Sequence, residues 1–399
     1  MPDTRRAIAA AQERHPFLTF ELDLRRLPPQ VWSQLGEARS KCEHLAGVPL
    51  QPRTAVELHL LYMVKGVLAT TAIEGNTLSE AQVRDVLEHK HTLPQSKQYL
   101  AQEVQNVANA CREIFRSLCE KNADARITPA LIARFNGDVL LGLDVEAEVT
   151  PGKFRHHDVT VARYRAPDWR YVEPLVTKLT EWLESPAFRE TTLRMELQIL
   201  RAIVAHLYVA WIHPFGDGNG RTARLIEFHL LIAAGVPSPA AHLLSNHYNE
   251  TRSEYYRQLD HASRSGGDVV PFITYAVQGF VDGLMEQLKR VRAQQLDVTW
   301  ESYVFSFFRG RETVAARRQR SVVLALGAQP VPVAHIRSLT REIAASYAKK
   351  TDKTVTRDLR ALESAKLIIR DSTGIRANIA LVEAFLPGRR VEATAKAQE

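Results

Sequence analysis

The sequence is poor in cysteine, with three in 399 residues, and holds 19 glycines and 19 prolines. Cys42, Cys111 and Cys119 provide neither an even disulfide framework nor a zinc-ligand spacing. Cys111 and Cys119 stand eight apart in a helical pattern, too far to be bridged. These absences exclude a disulfide-stapled scaffold, and a reducing compartment is expected. Long apolar runs are also missing. Those near 199–212 and 228–236 fall short of the ~20 residues that a membrane span requires. The opening residues, MPDTRRAIAAAQERHPF, lack the apolar core of a signal peptide. The expectation is a cytoplasmic protein without a membrane partner. No internal repeat or low-complexity stretch is visible.

Charge is not scarce but unevenly placed. The net +7 conceals 14 Lys/Arg against 6 Asp/Glu between 301 and 370, an excess of +8 that leaves −1 on the rest. An acidic partner for that part alone, DNA through 300–385, is one expectation, and a solvated basic face is the other.

With 45% hydrophobic residues, the chain has ample material for a core. Most of the first 300 residues alternate at helical spacing. Residues 54–74 read as one helix, stopped at Gly75-Asn76. Thr77 with Glu80 then fits a capping box. Helices follow at 97–120, from Pro129, at 191–212, from Asn219 to about Ala234, at 245–262 and at 271–293. Between them, TPGKFRHHDVTVARYR (150–165) reads as a β-hairpin, with His156 and His157 at its surface. After 300 the order is a helix near 334–348, another from 351, a strand, a turn at Ser372-Thr373-Gly374 and a second strand, which suits a winged helix-turn-helix. The expected domains are an N-terminal helical region (1–95), a core (96–295), a winged-helix domain (300–385) and a tail (386–399).

Glycine is concentrated at one place: HPFGDGNGRTAR (213–224) holds Gly216, Gly218 and Gly220. Such a loop turns sharply and brings backbone N–H groups close to a ligand. It opens a helix whose first N–H groups carry partial positive charge, which makes an anion site. Arg221 and Arg224 share a face of the first turn, where phosphates would relieve their conflict with the helix dipole. Asp217 is a hard carboxylate suited to Mg²⁺, and His213 is a general-base candidate. Glu74 closes a helix and Arg224 opens one. Each is disfavoured by its own dipole, so each would gain by meeting the other; a solvent-exposed Glu74 at a cost of ~0.5 kcal/mol is the alternative.

HPFGDGNGRTAR resembles the signature of the Fic family, His-Pro-Phe-x-Asp/Glu-Gly-Asn-Gly-Arg-x-x-Arg, at every specified position, and the likeness extends over about residues 50–290. The resemblance implies a mainly α fold, a helical bundle with a β-hairpin flap, and transfer of AMP from ATP to a Ser, Thr or Tyr hydroxyl of a protein. His213 would be the base and Asp217 would hold Mg²⁺ (or Mn²⁺). The N–H groups around Gly218, Asn219 and Gly220 would cradle the α-phosphate with the Asn219 side chain helping, Gly216 would also be nucleotide-binding, and Arg221 and Arg224 would bind the outer phosphates. Phe215 would anchor the loop. Val159, Thr160 and Val161 would form the flap edge that holds the target. Tyr248, Tyr255 and Tyr256 would line the adenine side, although 263–272 departs from the family's Asn-Glu-Gly-Asp stretch. Thr70, Glu74 and Gly75 resemble the family's inhibitory motif, whose glutamate would pair with Arg224 and block the γ-phosphate. The implied partners are ATP and a protein target (the chain itself included), while an exposed edge near the flap and the winged module could each support a homodimer. The alternatives are AMP removal, phosphate or phosphocholine transfer, and a nucleotide-sensing DNA-binding regulator.

Overall fold

In the computed structural model, residues 2–383 are described apart from 91–92, 162 and 189–191, so the expected tail at 386–399 lies outside the described residues. The chain divides into two units, Met1–Leu288 and Lys289–Glu399. The boundary expected at 95/96 therefore falls inside one unit.

The first unit is helical: α1 (Pro2–Arg14), α2 (Pro29–Gly47), α3 (Pro52–Ala72), α4 (Glu80–Leu87), α5 (Gln98–Phe115), α6 (Pro129–Leu140), α7 (Val172–Leu183), α8 (Arg194–Ile212), α9 (Asn219–Ala233), α10 (Ser238–Ala241), α11 (Leu243–Glu250), α12 (Arg252–Arg264) and the first part of α13 (Val270–Phe307). At its centre α8 packs on α9, with α3, α5, α6 and α7 around them. α8 is long and apolar enough to cross a membrane, but 83% of its most apolar window is buried, so it is the core helix. α11 fits notches on both sides. A Cβ at Gly66 of α3 would overlap the His242 ring, and at Gly279 of α13 the His247 ring.

Several boundaries differ from expectation. The capping box before α4 uses Ser79 and Gln82, not Thr77 and Glu80. The Asn76 side chain accepts the Leu78 N–H, and buried Leu78 and Val83 sit as a hydrophobic staple would have them. The hairpin is short, β1 (Thr160–Val161) paired with β2 (Tyr164–Arg165), and the residues before it are tied by Arg155 to the carbonyls of Pro167 and His213 instead of extending the ladder. The helix expected over 245–262 breaks at Thr251, whose backbone leaves the helical region (φ −116°, ψ 40°). The one expected over 271–293 runs on to Phe307, since no glycine or proline follows Gly283 within it.

The second unit holds the last turns of α13, α14 (Val314–Ala325), a 3₁₀ turn at Val333–Ser338, α15 (Arg341–Tyr347), α16 (Asp352–Ser364), the antiparallel pair β3 (Ile368–Arg370) and β4 (Ile375–Ala377), and α17 (Ala380–Glu383). The helix expected over 334–348 is thus two pieces, divided where Thr340 caps α15. Val331 bridges Ile375 and adds a third chain segment beside β4. The core of this unit is its own, around Trp300, Val304, Val322, Ile343, Leu359 and Ile375.

Candidate active site

The loop between α8 and α9 is built by its glycines. α8 ends at His213, which is left-handed (φ 49°), and Gly218 turns the chain again (φ 75°) to open α9. A Cβ at Gly218 would press on Asn136 (3.0 Å) and Leu140 (3.2 Å), and one at Gly216 on Val149 (2.7 Å). Phe215 is buried beside Phe154, as an anchor should be. The Asn219 side chain faces inward. Its Nδ2 donates to the Phe215 carbonyl (2.8 Å) and its Oδ1 accepts the Phe215 N–H (2.9 Å). The phosphate contact expected of that side chain is corrected by this: it staples the loop, leaving the backbone N–H groups of the first α9 turn to meet an anion.

His213 Nδ1 lies 3.3 Å from the Ala210 carbonyl. Donation there makes Nδ1 the protonated nitrogen of the neutral ring and leaves Nε2 with its lone pair. Burial pushes the His213 pKa down to about 4, with Arg155 adding to the fall and the Ala210 carbonyl, Glu74 and Asp217 opposing it. The ring is therefore neutral at pH 7 and can accept a proton.

Sequence reasoning missed three residues that hold this loop. Arg155, 3% exposed, donates to the carbonyls of His213 (2.8 Å), His157 (2.8 Å) and Pro167 (2.5 Å), while its own N–H bonds to the Pro214 carbonyl. Asn136 on α6 donates to the Asp217 carbonyl (2.9 Å) and accepts the Gly152 N–H (3.0 Å), tying the flap turn to the loop. Glu103 on α5 accepts from Arg221 Nη1 (2.7 Å) and from Asn76 Nδ2 (2.9 Å). Burial, with Asp217 and Glu74 nearby, raises the Glu103 pKa against the pull of Arg221 and Asn76. The pattern Phe-Arg-His-His was the only local hint of Arg155, a cation in a turn with no acid beside it.

The two arginines are already engaged. Arg221 is shared between Glu103 and Asp217 (3.2 Å), so the free outer-phosphate ligand expected there is instead a paired one. Arg224, whose side chain is 1% exposed, pairs with Glu74 and donates to the Thr70 carbonyl (2.9 Å). Burial works to raise the Glu74 pKa, but Arg224, aided by Arg221 and His213, outweighs it and holds the carboxyl below its ordinary range. The Glu74 carboxylate lies over Gly220, where a Cβ would overlap it. Gly75 follows in a left-handed turn (φ 103°). Thus Glu74 and the Thr70 carbonyl, 139 or more positions before His213 in the chain, meet Arg224 at the start of α9.

The adenine-side tyrosines need correction. Tyr248 and Tyr255 are buried in the core, where the Tyr248 hydroxyl donates to Glu227 (2.9 Å) and Tyr255 meets His206 Nε2 (2.9 Å). Neither is open to a ligand in this conformation, as both are buried. Tyr256 is exposed, with its hydroxyl 3.4 Å from the Ile73 carbonyl beside Arg252 (2.7 Å). In the flap, Thr160 and Val161 are exposed and Val159 is half-buried. His156 packs against Trp169, and half-buried His157 faces Gly216.

Asp217 stays 45% exposed at the mouth, accepting the Gly218 N–H (2.5 Å). Among the described residues no three His, Cys, Asp or Glu side chains cluster to cage a metal. A lone carboxylate fits an ion held chiefly by substrate phosphates and water, the habit of Mg²⁺.

Residues 126–231 match the Fic/DOC family. The chain is 33% identical over 242 residues to protein adenylyltransferase fic-1 of Caenorhabditis elegans, covering 61% of this chain and 44% of that one. It is 25% identical over 277 residues to protein adenylyltransferase Fic of Nematostella vectensis, covering 69% and 58%. It therefore spans only about half the length of these curated relatives. A solved fragment of C. elegans Fic-1 superposes with a TM-score of 0.54 at 28% identity, covering 66% of this chain and 73% of the fragment. A Fic family protein from Desulfovibrio desulfuricans G20 shares the fold at 21% identity, with a TM-score of 0.54 over 88% of this chain and 96% of that one. Loop, helices and relatives point the same way: over residues 126–231 this chain is similar to the Fic/DOC family.

Proposed function

We propose that the chain is a protein adenylyltransferase restrained by its own Glu74. The observation that carries the reading is the meeting of the neutral His213 ring, the opening of α9 and the Glu74–Arg224 pair at one loop. His213 Nε2 takes the proton of a Ser, Thr or Tyr hydroxyl of the target. The freed oxygen bonds to the α-phosphorus of ATP, the bond to the β-phosphate oxygen breaks, and pyrophosphate leaves toward Arg224. Backbone N–H groups at the start of α9 stabilise the charge that develops. Asp217 would hold Mg²⁺ or Mn²⁺, which supplies charge neutralisation between the phosphates. The exposed edge at Thr160-Val161 accepts the target segment by strand pairing. While Glu74 occupies Arg224, the γ-phosphate lacks its cation. The second unit, with its order α14, α15, α16, β3, β4, is read as a winged helix-turn-helix.

Wild type, Glu74→Gly and Glu74→Gly/His213→Ala, incubated with α-labelled ATP and Mg²⁺ and read by intact mass and by labelling of a lysate, test this. Label on Glu74→Gly, little on wild type and none on the double variant is the expected result. Equal labelling of wild type and Glu74→Gly would remove the restraint from the reading. No label from any variant, on itself or in lysate, would remove the transferase.

A further inference from the structure

The chain's positive charge is concentrated where the transfer chemistry has no use for it. α16 buries Val355, Asp358, Leu359 and Leu362 and leaves Lys353, Thr356, Arg357 and Arg360 exposed. Positions i, i+3, i+4 and i+7 share one helix face. Lys349 and Lys350, in the turn between α15 and α16, carry the same sign up to its N-terminal end. None of these five cations forms an ion pair with a described residue, whereas nearby acids are taken: Asp352 by Arg337 (2.9 Å) and Glu363 by Arg370 (3.7 Å).

The opposite face is fixed by a polar knot. Asp358, 1% exposed, accepts from Arg318 Nε (2.7 Å), the Tyr347 hydroxyl (3.0 Å) and Gln319 Nε2 (3.1 Å). These bonds tie α16 to both α14 and α15. A buried ion pair adds little net stability, but this one leaves α16 a single orientation in which every buried polar partner is met.

We propose that the exposed face of α16 docks in the major groove of duplex DNA, with Lys349, Lys350, Lys353, Arg357 and Arg360 meeting phosphates and base edges. At about 1.5 Å per residue the helix is roughly 20 Å long, and a groove ~12 Å wide admits it. It is the second helix of its helix-turn-helix, the one whose N-terminal residues reach bases when such units bind. A-form RNA is disfavoured because its major groove is too deep and narrow to take a helix. The inference does not depend on AMP transfer.

The test is fluorescence anisotropy of the full chain with a labelled duplex of mixed sequence, at salt from about 50 to 200 mM. Log affinity should fall linearly with log salt. Lys353→Ala/Arg357→Ala/Arg360→Ala should reduce that slope by about 3 and the affinity at least ~10-fold at the lowest salt. Arg53→Ala/Arg116→Ala/Lys121→Ala removes the same charge from exposed sites of the first unit and should change affinity less than about twofold. Far-UV circular dichroism should match wild type for both, since only exposed side chains are shortened. No binding at the lowest salt, equal losses in both variants, or an RNA duplex bound as tightly as DNA would each overturn the proposal.

Discussion

Arg155 shows how much of the site depends on a residue that bears no motif. It holds the His213 and Pro214 carbonyls from the flap side while its guanidinium meets three carbonyl oxygens and, among the described residues, no carboxylate within bonding distance. Truncation to Ala should let the His213 backbone relax and lower kcat for the proposed AMP transfer about 10- to 100-fold with a small change in KM for ATP, since misplacing the proposed base by ~1 Å would have that effect. Steady-state kinetics in the Glu74→Gly background measure it. Arg155→Lys should rescue little, because an ammonium cannot span the three acceptors. The difference between what was legible and what was not follows from locality. His213, Asp217 and the glycines are a contiguous pattern whose chemistry can be reasoned out residue by residue. Glu74 stands out locally as a carboxylate at a helix end, and the likeness of Thr70, Glu74 and Gly75 to the family's inhibitory motif is what points it at Arg224. Glu103, Asn136 and Arg155 obey local rules and reveal their roles only through partners far along the chain. Tyr248 and Tyr255 misled for the opposite reason, since an aromatic at helical spacing reads alike whether it lines a pocket or fills a core.

Among the elements, long periodic helices were legible and their ends were not. α6 begins at Pro129 and α9 at Asn219 as expected, because Pro, Gly and capping side chains set those ends locally. The start of α4 was placed two residues early, since Thr77 and Ser79 both offer a cap and the burial of Leu78 decides between them. Ser79→Ala should therefore cost about 1 kcal/mol in chemical denaturation, and Thr77→Ala close to nothing. The break at Thr251 had no sequence signal, because no glycine or proline marks it. The order after 300 was legible as helix, strand, turn and strand, while α14, whose apolar side packs around buried Val322 and Val323, was passed over.

For the whole chain, acidity is the sharpest lever. Burial lowers the pKa of His213 and His229 to about 4 and of His242 to about 3. Below the ordinary value near 6.5 the unfolded chain binds protons that the folded chain refuses, so stability rises with pH across this window and is lost as pH falls through it. Thermal denaturation of the first unit should show Tm decreasing steadily from about pH 6.5 toward pH 4, with a shallower slope for His242→Phe if that variant folds to the same Tm at pH 7. A separate consequence lies in the glycine notch of α3. Because Gly66 seats α3 against His242, the residue just before α11, the helix that leads into Glu74 cannot withdraw without unpacking from α11. Whatever frees Arg224 must act on the last turn and on one side chain. The proposed restraint would then be set on the clock of rotamer hops and end fraying, nanoseconds to microseconds, and not on the slower clock of moving domains.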